Sequence, residues 1–317
     1  MSELAELYIG IEIGGTKLQL VVGDENATII DRIRCQVQAH EGASHIREQV
    51  QDGLDQLLKR HTIKAIGVGF GGPIDWQTGA IQLSHQVSGW ENINLKHWLN
   101  KISGLPVAAD NDASTAALGE AMFGQGKGID NVFYITIGSG IGGGLVSNGS
   151  IYHGRVPGEC EIGHIRLTKA GNTLEQSCSG WAVNKKVEEI IAKVPDGILA
   201  KLAAQHRVPG AMLLQPALQE RDPRAFNLLH EIADDLAFAL SHVVHLFNPG
   251  IIVLGGGLAL LGETLTKAIT ERMPQYVMQA LHPIPPVVVA GLTEDAVPAG
   301  ALLLATQASI PTSPQKN

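Results

Sequence analysis

Clusters of glycine that directly follow runs of β-branched residues are the feature that most restricts how this chain can fold. The chain holds 37 glycines in 317 residues, against a typical share of about 7%. Because glycine after a strand permits positive φ and lets the backbone approach a ligand closely, we expect turns lined by main-chain N–H groups. The clusters lie at 13–16 (IGGT), 67–73 (GVGFGGP), 136–144 (TIGSGIGGG) and 254–257 (LGGG).

Composition excludes several classes of protein. Apolar residues make up 44% and charged residues 17% of the chain, which excludes wholesale disorder and a coiled coil. The net charge of −8 argues against a nucleic-acid partner, and no apolar stretch is long enough to span a bilayer. The three cysteines are far apart, so we expect no disulfide framework or zinc finger. The acidic start MSELAELYIG lacks a secretory pattern, which predicts a cytoplasmic protein.

Hydrophobic periodicity predicts an α/β chain with an internal repeat. Each half begins with two strands around a glycine-rich turn and continues with further strands and helices. This repeat predicts two similar α/β lobes with a cleft between them. The first half is predicted as strands at 7–13, 17–22 and 28–37, helix 44–60, strand 63–70, helix 94–102, strand 105–110 and helix 113–124. The second half is predicted as strands at 131–138 and 144–152, helices across 179–247, strand 251–254, a turn and helix at 255–273, strand 285–292 and helix 296–306.

Two segments partly match common nucleotide-binding motifs, but neither has the surrounding structure that its motif requires. Residues 138–143 fit G-x-G-x-x-G, but the β-rich stretch LVSNGSIY follows where a dinucleotide-binding fingerprint needs a helix. Residues 10–17 (GIEIGGTK) place Thr and Lys in the wrong order for a P-loop, and a strand follows. What remains is one glycine-rich hairpin in each half. Each hairpin is either a plain turn or an anion nest, and two facing nests would hold a polyphosphate from both sides.

Six segments, in order over residues 7–305, together resemble the ROK family of sugar kinases. The resemblance implies an actin-like (ribonuclease H-like) α/β fold with two lobes and a central cleft. It further implies a small lobe over 1–122, joined by the C-terminal helix 296–308, a large lobe over 123–295, and a homodimer through the larger lobe. The segments are EIGGTK (12–17), GVGFGGPID (67–75), NDASTAALGE (111–120), YITIGSGIGGGLV (134–146), GECEIGHI (158–165) and IIVLGGGL (251–258).

The residues of these segments suit phosphoryl transfer, which needs an acceptor hydroxyl, a clamped γ-phosphate, Mg²⁺ and a carboxylate that takes the proton. Asp112 lies between a predicted strand and a predicted helix, where it is either an N-cap or that base. The resemblance implies the base. It also implies sugar contacts from Gly71, Gly72, Asn111, Glu161, His164 and Glu175, although Glu161 and His164 alone also suit a solvated turn. The nucleotide and its Mg²⁺ are expected at Glu12, Gly14, Gly15, Thr16, Lys17, Thr136, Gly138, Ser139, Gly140, Gly256 and Gly257.

Two departures from the family pattern bear on function. The phosphate turn begins with Glu12 where the family has Asp, and the extra methylene is enough to misplace the metal. The family's zinc-binding cysteine cluster is shortened after His164, so we expect no structural zinc, and the match of Glu175 depends on that altered loop.

The sequence therefore predicts an enzyme that transfers the γ-phosphate of MgATP to a hexose hydroxyl, the 6-hydroxyl of glucose or a related hexose. The alternative is a sugar-binding pseudokinase. A transcription regulator of the same family is disfavoured by the net charge and by the nine residues before Gly10, too few for a helix-turn-helix.

Overall fold

The computed structural model describes residues 5–82, 87–156, 158 and 160–309. The chain splits into two compact units. The first unit comprises Met1–Gly128, Gly144–Glu159 and Gly291–Asn317, and the second comprises Ile129–Gly143 and Cys160–Ala290. The strands are β1 (Leu7–Ile13), β2 (Lys17–Gly23), β3 (Ile29–Gln36), β4 (Ile63–Phe70), β5 (Val107–Asn111), β6 (Asn131–Ile137), β7 (Ile141–Ser147), β8 (Ser150–Ile151), β9 (Ile251–Gly255) and β10 (Val287–Val289). The helices are α1 (Gly42–Arg60), α2 (Leu95–Ser103), α3 (Asp112–Phe123), α4 (Leu174–Cys178), α5 (Gly180–Lys193), α6 (Ile198–Gln205), α7 (Gly210–Gln219), α8 (Pro223–Phe247), α9 (Glu263–Arg272) and α10 (Ala296–Ser309).

The first sheet has the order β3-β2-β1-β4-β5. The pairs β1–β2 and β2–β3 are antiparallel, whereas β4 runs parallel to both β1 and β5. Residues Ile13, Phe70 and Asn111 pair across the three parallel strands. The three segments that follow these residues therefore leave the sheet at the same edge.

The core of the first unit is built on both faces of this sheet. One face is covered by α1, whose residues Ile46, Val50 and Leu54 recur at helical spacing and are at most 2% exposed. The other face receives α10, which approaches β4 so closely that a Cβ on Gly67 would collide with the carbonyl oxygen of Ala301. Glycine at position 67 therefore allows the C-terminal helix to pack on the first sheet.

The second sheet has the order β10-β9-β6-β7-β8. The strands β6, β9 and β10 run parallel, and β7 and β8 form an antiparallel pair. The longest helix, α8, has 25 residues with an apolar face buried along its length and ends at Asn248 in the left-handed region. That end agrees with the stop signal Asn-Pro-Gly at 248–250.

The α/β class predicted from the sequence is confirmed, and the predicted elements occur in the predicted order. The structure adds helix α4 and divides the predicted strand 144–152 into β7 and β8. The differences are local. Strand β7 begins at Ile141 rather than at residue 144, because its glycines continue the ladder instead of widening the turn. Strand β10 spans three residues rather than eight, since three residues pair with β9. Within the described residues, the helices are all too short or too polar to cross a membrane.

Candidate functional site

In the first unit, the predicted phosphate turn, the predicted sugar loop and the predicted base lie side by side. Gly71 donates its N–H to the carbonyl of Ile13 at 2.8 Å. A Cβ placed on Gly71 would lie 3.3 Å from Asp112 Oδ2 and 3.3 Å from Gly14 Cα. The shared register of the three parallel strands thus brings Gly14, Gly71 and Asp112 together, and the lack of a side chain at position 71 leaves room between them.

Asn111 and Asp112 occupy neighbouring positions at the start of α3 and have different roles there. Asn111 is the N-cap, since its Oδ1 accepts the N–H groups of Ala113 at 2.9 Å and Ser114 at 3.2 Å. Its Nδ2 donates to the carbonyl of Gly72 at 3.3 Å. The N-cap role therefore belongs to Asn111 rather than to Asp112. Asp112 is the first helical residue, where the partial positive charge of the helix N-terminus favours a carboxylate.

Glu12 is held beside the phosphate turn by two neighbours. Lys17 Nζ lies 3.2 Å from Glu12 Oε2, and Gln19 Nε2 donates to the same oxygen. Gln19 is itself fully buried and donates to the carbonyl of Glu294 at 3.1 Å. Burial raises the pKa of Glu12, although Lys17 and Gln19 act in the opposite direction. Glu12 is therefore a fixed, partly desolvated carboxylate next to Lys17.

The second glycine hairpin, in the second unit, has an open tip. Gly138 donates to the carbonyl of Gly140 at 2.9 Å, and Gly180 donates to the carbonyl of Gly138 at 2.7 Å. A Cβ on Gly138 would meet no atom of the described structure within 4 Å. Ser139 lies between the two hairpin glycines, and Thr136 pairs with Gly255 across β6 and β9. The hairpin therefore has space for a ligand to approach its backbone.

The predicted adenosine turn lies against the same hairpin. Gly256 has φ of 81°, and a Cβ there would lie 2.6 Å from the backbone of Ile137. A Cβ on Gly257 would meet nothing within 4 Å among the described residues. Only glycine suits position 256, and it places Gly257 beside the end of β6.

Glu175 contacts the second hairpin directly, a contact that the sequence does not indicate. Its Oε2 accepts the N–H of Ile141 at 2.8 Å, and a Cβ on Gly140 would come within 2.5 Å of that oxygen. Glu161 and His164 are exposed around the short turn Ile162–His164, where Gly163 packs on the carbonyl of Ile141. Glu175 thus contacts the start of β7, and the turn that carries Glu161 and His164 packs there through Gly163.

The cysteines do not form a metal centre in the part of the chain that is described. There, no group of three or more His, Cys, Asp or Glu side chains is arranged to hold an ion. Cys178 is buried below α8, and burial raises the pKa of its thiol. The absence of structural zinc stays a prediction.

Sequence reasoning missed a cluster of polar side chains beside Asn111. Asp110 is 4% exposed and pairs with His153 at 2.7 Å between Oδ2 and Nε2. The ring of His153 stacks on Trp76. No local pattern indicates the pair, because its members lie 43 residues apart in the sequence.

Comparisons with known proteins identify the family of the chain. A family model described as "ROK family" matches residues 8–308. A glucokinase of Halalkalibacterium halodurans is 33% identical over 286 residues, which are 86% of this chain and 86% of the relative. A glucokinase of Thermotoga maritima is 29% identical over 92% of this chain and 95% of its own length. The crystal structure of a ROK family glucokinase from Streptomyces griseus in complex with glucose and AMPPNP superimposes with a TM-score of 0.84 and 28% identity, covering 95% of this chain and 99% of that one.

Proposed function

The chain belongs to the ROK family and has its actin-like ATPase fold, and from this premise we propose that it is an ATP-dependent hexose kinase. It transfers the γ-phosphate of MgATP to a hexose hydroxyl, the 6-hydroxyl of glucose or a related hexose. The glucokinase relatives and the structure that holds glucose and AMPPNP support this class of reaction.

One observation carries the proposal: Gly14, Gly71 and Asp112 meet at one edge of the first sheet. These three features suit phosphoryl transfer to a hydroxyl. They are a turn that can bind phosphate, a glycine backbone without a side chain, and a carboxylate at a helix N-terminus. The Cβ positions and hydrogen bonds there leave Asp112 Oδ2 facing Gly71.

In the proposed mechanism, Asp112 accepts the proton of the attacking hydroxyl. The hydroxyl oxygen forms a bond to the γ-phosphorus while the bond to the leaving ADP oxygen breaks. Asn111 and the backbone of Gly71–Gly72 orient the sugar in the first unit. The family resemblance implies further sugar contacts from Glu161, His164 and Glu175. In the first unit, backbone N–H groups at 14–16, with Lys17, bind phosphate oxygens. The family resemblance implies the same role for the N–H groups at 138–140, and it implies that Gly256–Gly257 accommodates the adenosine.

Magnesium arrives on the phosphates of ATP and is therefore part of the substrate. Mg²⁺ prefers oxygen ligands, keeps several waters and uses one or two protein carboxylates. Glu12 would supply such a carboxylate beside Lys17, and a single carboxylate suits an ion held through water. When bound with ATP, Mg²⁺ would supply positive charge next to the transferred phosphoryl group.

The second candidate function is a sugar-binding pseudokinase. The observation that favours it is the contact set of Glu12, whose Oε2 is already engaged by Lys17 and Gln19. Should those contacts hold the longer side chain away from the metal, sugar binding would persist without turnover.

The test is turnover with MgATP on a panel of hexoses and N-acetylhexosamines, with coupled detection of ADP and identification of the product by NMR. We expect a hexose 6-phosphate together with stoichiometric ADP. Calorimetry on the same panel separates the alternatives, because binding without turnover on every sugar supports the pseudokinase. ADP release that is independent of sugar contradicts the kinase. The homodimer and the lobe boundaries at residues 122 and 295 stay predictions of the family resemblance. The cytoplasmic location stays a prediction from the sequence.

A further inference from the structure

A buried carboxylate, an imidazole and an indole form one cluster in the first unit. Asp110 Oδ2 lies 2.7 Å from His153 Nε2, and the side chain of Asp110 is 5% exposed. The His153 and Trp76 rings stack with centroids 4.1 Å apart and planes 16° from parallel. A stacked ring of this kind restricts the imidazole to one orientation, with its Nε2 directed at Asp110.

The cluster is joined to the acceptor side of the proposed site by two hydrogen bonds. Asp110 Oδ1 accepts the N–H of Asn111 at 2.8 Å. Asn111 in turn donates from Nδ2 to the carbonyl of Gly72. One carboxylate therefore contacts His153 through one oxygen and the backbone of Asn111 through the other.

Trp76 links the same cluster to the loop that follows Gly71 and Gly72. Its carbonyl accepts from Lys96 Nζ at 3.2 Å, and the carbonyl of Gln77 accepts from the same nitrogen at 3.1 Å. Lys96 thus anchors the backbone of the loop, while the indole ring of Trp76 covers His153. The loop carrying Gly71 and Gly72 is fixed at both its backbone and its aromatic side chain.

The energetic role of His153 follows from the burial of Asp110. A buried carboxylate that loses one partner of a close pair is left poorly compensated, and its surroundings shift to solvate it. The groups that contact the pair are the Asn111 backbone and the Trp76 ring, so loss of His153 acts on them first. Movement of either displaces the atoms proposed to orient the sugar, and displacements of about 1 Å are costly at such sites.

We propose that His153 and Asp110, covered by Trp76, are a positioning pair for the acceptor sugar. They act through Asn111 and Gly72 and set the affinity for the sugar rather than for the nucleotide. The inference rests on the proposed sugar-kinase function and deepens it, because neither residue belongs to the site expected from the sequence.

The experiment compares His153→Ala and His153→Gln with His61→Ala. His61 is a matched control, since its Nε2 lies 2.7 Å from Asp31 Oδ2 in the same unit. Neither His61 nor Asp31 belongs to the cluster at Asn111. For each folded variant, KM for glucose, KM for MgATP and kcat are measured, with the Kd for glucose from calorimetry and a thermal melt.

We expect His153→Ala to raise both KM and Kd for glucose on the order of tenfold, with KM for MgATP within about twofold of the wild type. His153→Gln should recover most of the affinity, because its amide still donates to Asp110. His61→Ala should leave the glucose constants unchanged. Should His153→Ala fail to fold, His153→Gln and Asp110→Asn provide the comparison, and both are expected to weaken glucose binding to a smaller extent.

Equal glucose constants in His153→Ala and His61→Ala would overturn the proposal. So would a parallel loss in kcat and in both KM values, which indicates a general structural role. If the wild type binds hexoses without turnover, the proposed kinase function is wrong. The ratio of the Kd for glucose between each variant and the wild type still tests the role of the His153–Asp110 pair. If the wild type binds no hexose, both proposals fall.

Discussion

Glu120 is a buried carboxylate whose replacement should measurably destabilise the first unit. Its side chain is 0% exposed near the end of α3. Oε2 accepts the N–H groups of Gln125 at 2.9 Å and Gly291 at 3.1 Å, and Oε1 accepts that of Leu292 at 2.7 Å. One charge is thus satisfied by three backbone N–H groups from two segments far apart in the chain.

The cost of Glu120→Gln follows from those contacts. The amide keeps the shape of the side chain but replaces one acceptor oxygen with an NH₂ donor. If the amide oxygen takes the place of Oε2, the hydrogen bonds from Gln125 and Gly291 remain. The NH₂ group then faces the N–H of Leu292, and neither of these two donors has an acceptor. Two buried donors are then unsatisfied at about 1–3 kcal/mol each, partly relieved by relaxation. We expect a loss of about 2–4 kcal/mol in the free energy of unfolding.

Urea denaturation followed by tryptophan fluorescence measures this loss. Three of the four tryptophans, Trp76, Trp90 and Trp98, lie in the first unit, so the signal reports chiefly on that unit. The control is Glu48→Gln on α1, where the side chain is 76% exposed and the expected change is within about 0.5 kcal/mol. Equal unfolding midpoints for Glu120→Gln and Glu48→Gln would refute the assignment of Glu120 as a structural acceptor.

Two further predictions concern the nucleotide side of the proposed site. Because burial raises the pKa of Glu12 above its ordinary value of 4.5, ionised Glu12 costs folding free energy at neutral pH. Glu12→Gln should therefore raise the melting temperature near pH 7, and the gain should vanish below about pH 4, where Glu12 is protonated in both states; a gain that grows on acidification contradicts this sign. A Cβ on Gly138 enters open space, so Gly138→Ala should leave the melting temperature unchanged while raising KM for MgATP about tenfold or more. An unchanged KM for MgATP would show that phosphates do not approach this hairpin.

The elements of the fold are largely predictable because their signals are local. Helical spacing of apolar residues predicts a helix at 44–60, and the structure has α1 at Gly42–Arg60. The glycine clusters likewise predict the two hairpins, whose turns lie at 14–16 and 138–140. Such signals require only a few neighbouring residues, so one sequence suffices to read them.

The contacts that assemble the site are not readable in this way, because they join distant segments. The register that aligns Ile13, Phe70 and Asn111 depends on how β1, β4 and β5 pair. No local residue pattern predicts that pairing. The same holds for Glu175, which lies 34 residues from Ile141, and for Glu120, which lies 171 residues from Gly291. Polar side chains at such positions look like ordinary surface residues until the fold gives them a partner.

The central claim is that Asp112 takes the proton of the acceptor hydroxyl. The kinetics of the variants Asp112→Asn and Asp112→Ala test this claim most directly. The substitution to Asn keeps the shape of the side chain at the start of α3 and removes the base. We predict that kcat falls by about 10²–10⁴ while the Kd for glucose, measured by calorimetry, changes little. A variant that keeps kcat within a few-fold of the wild type, with glucose still bound, would contradict the account.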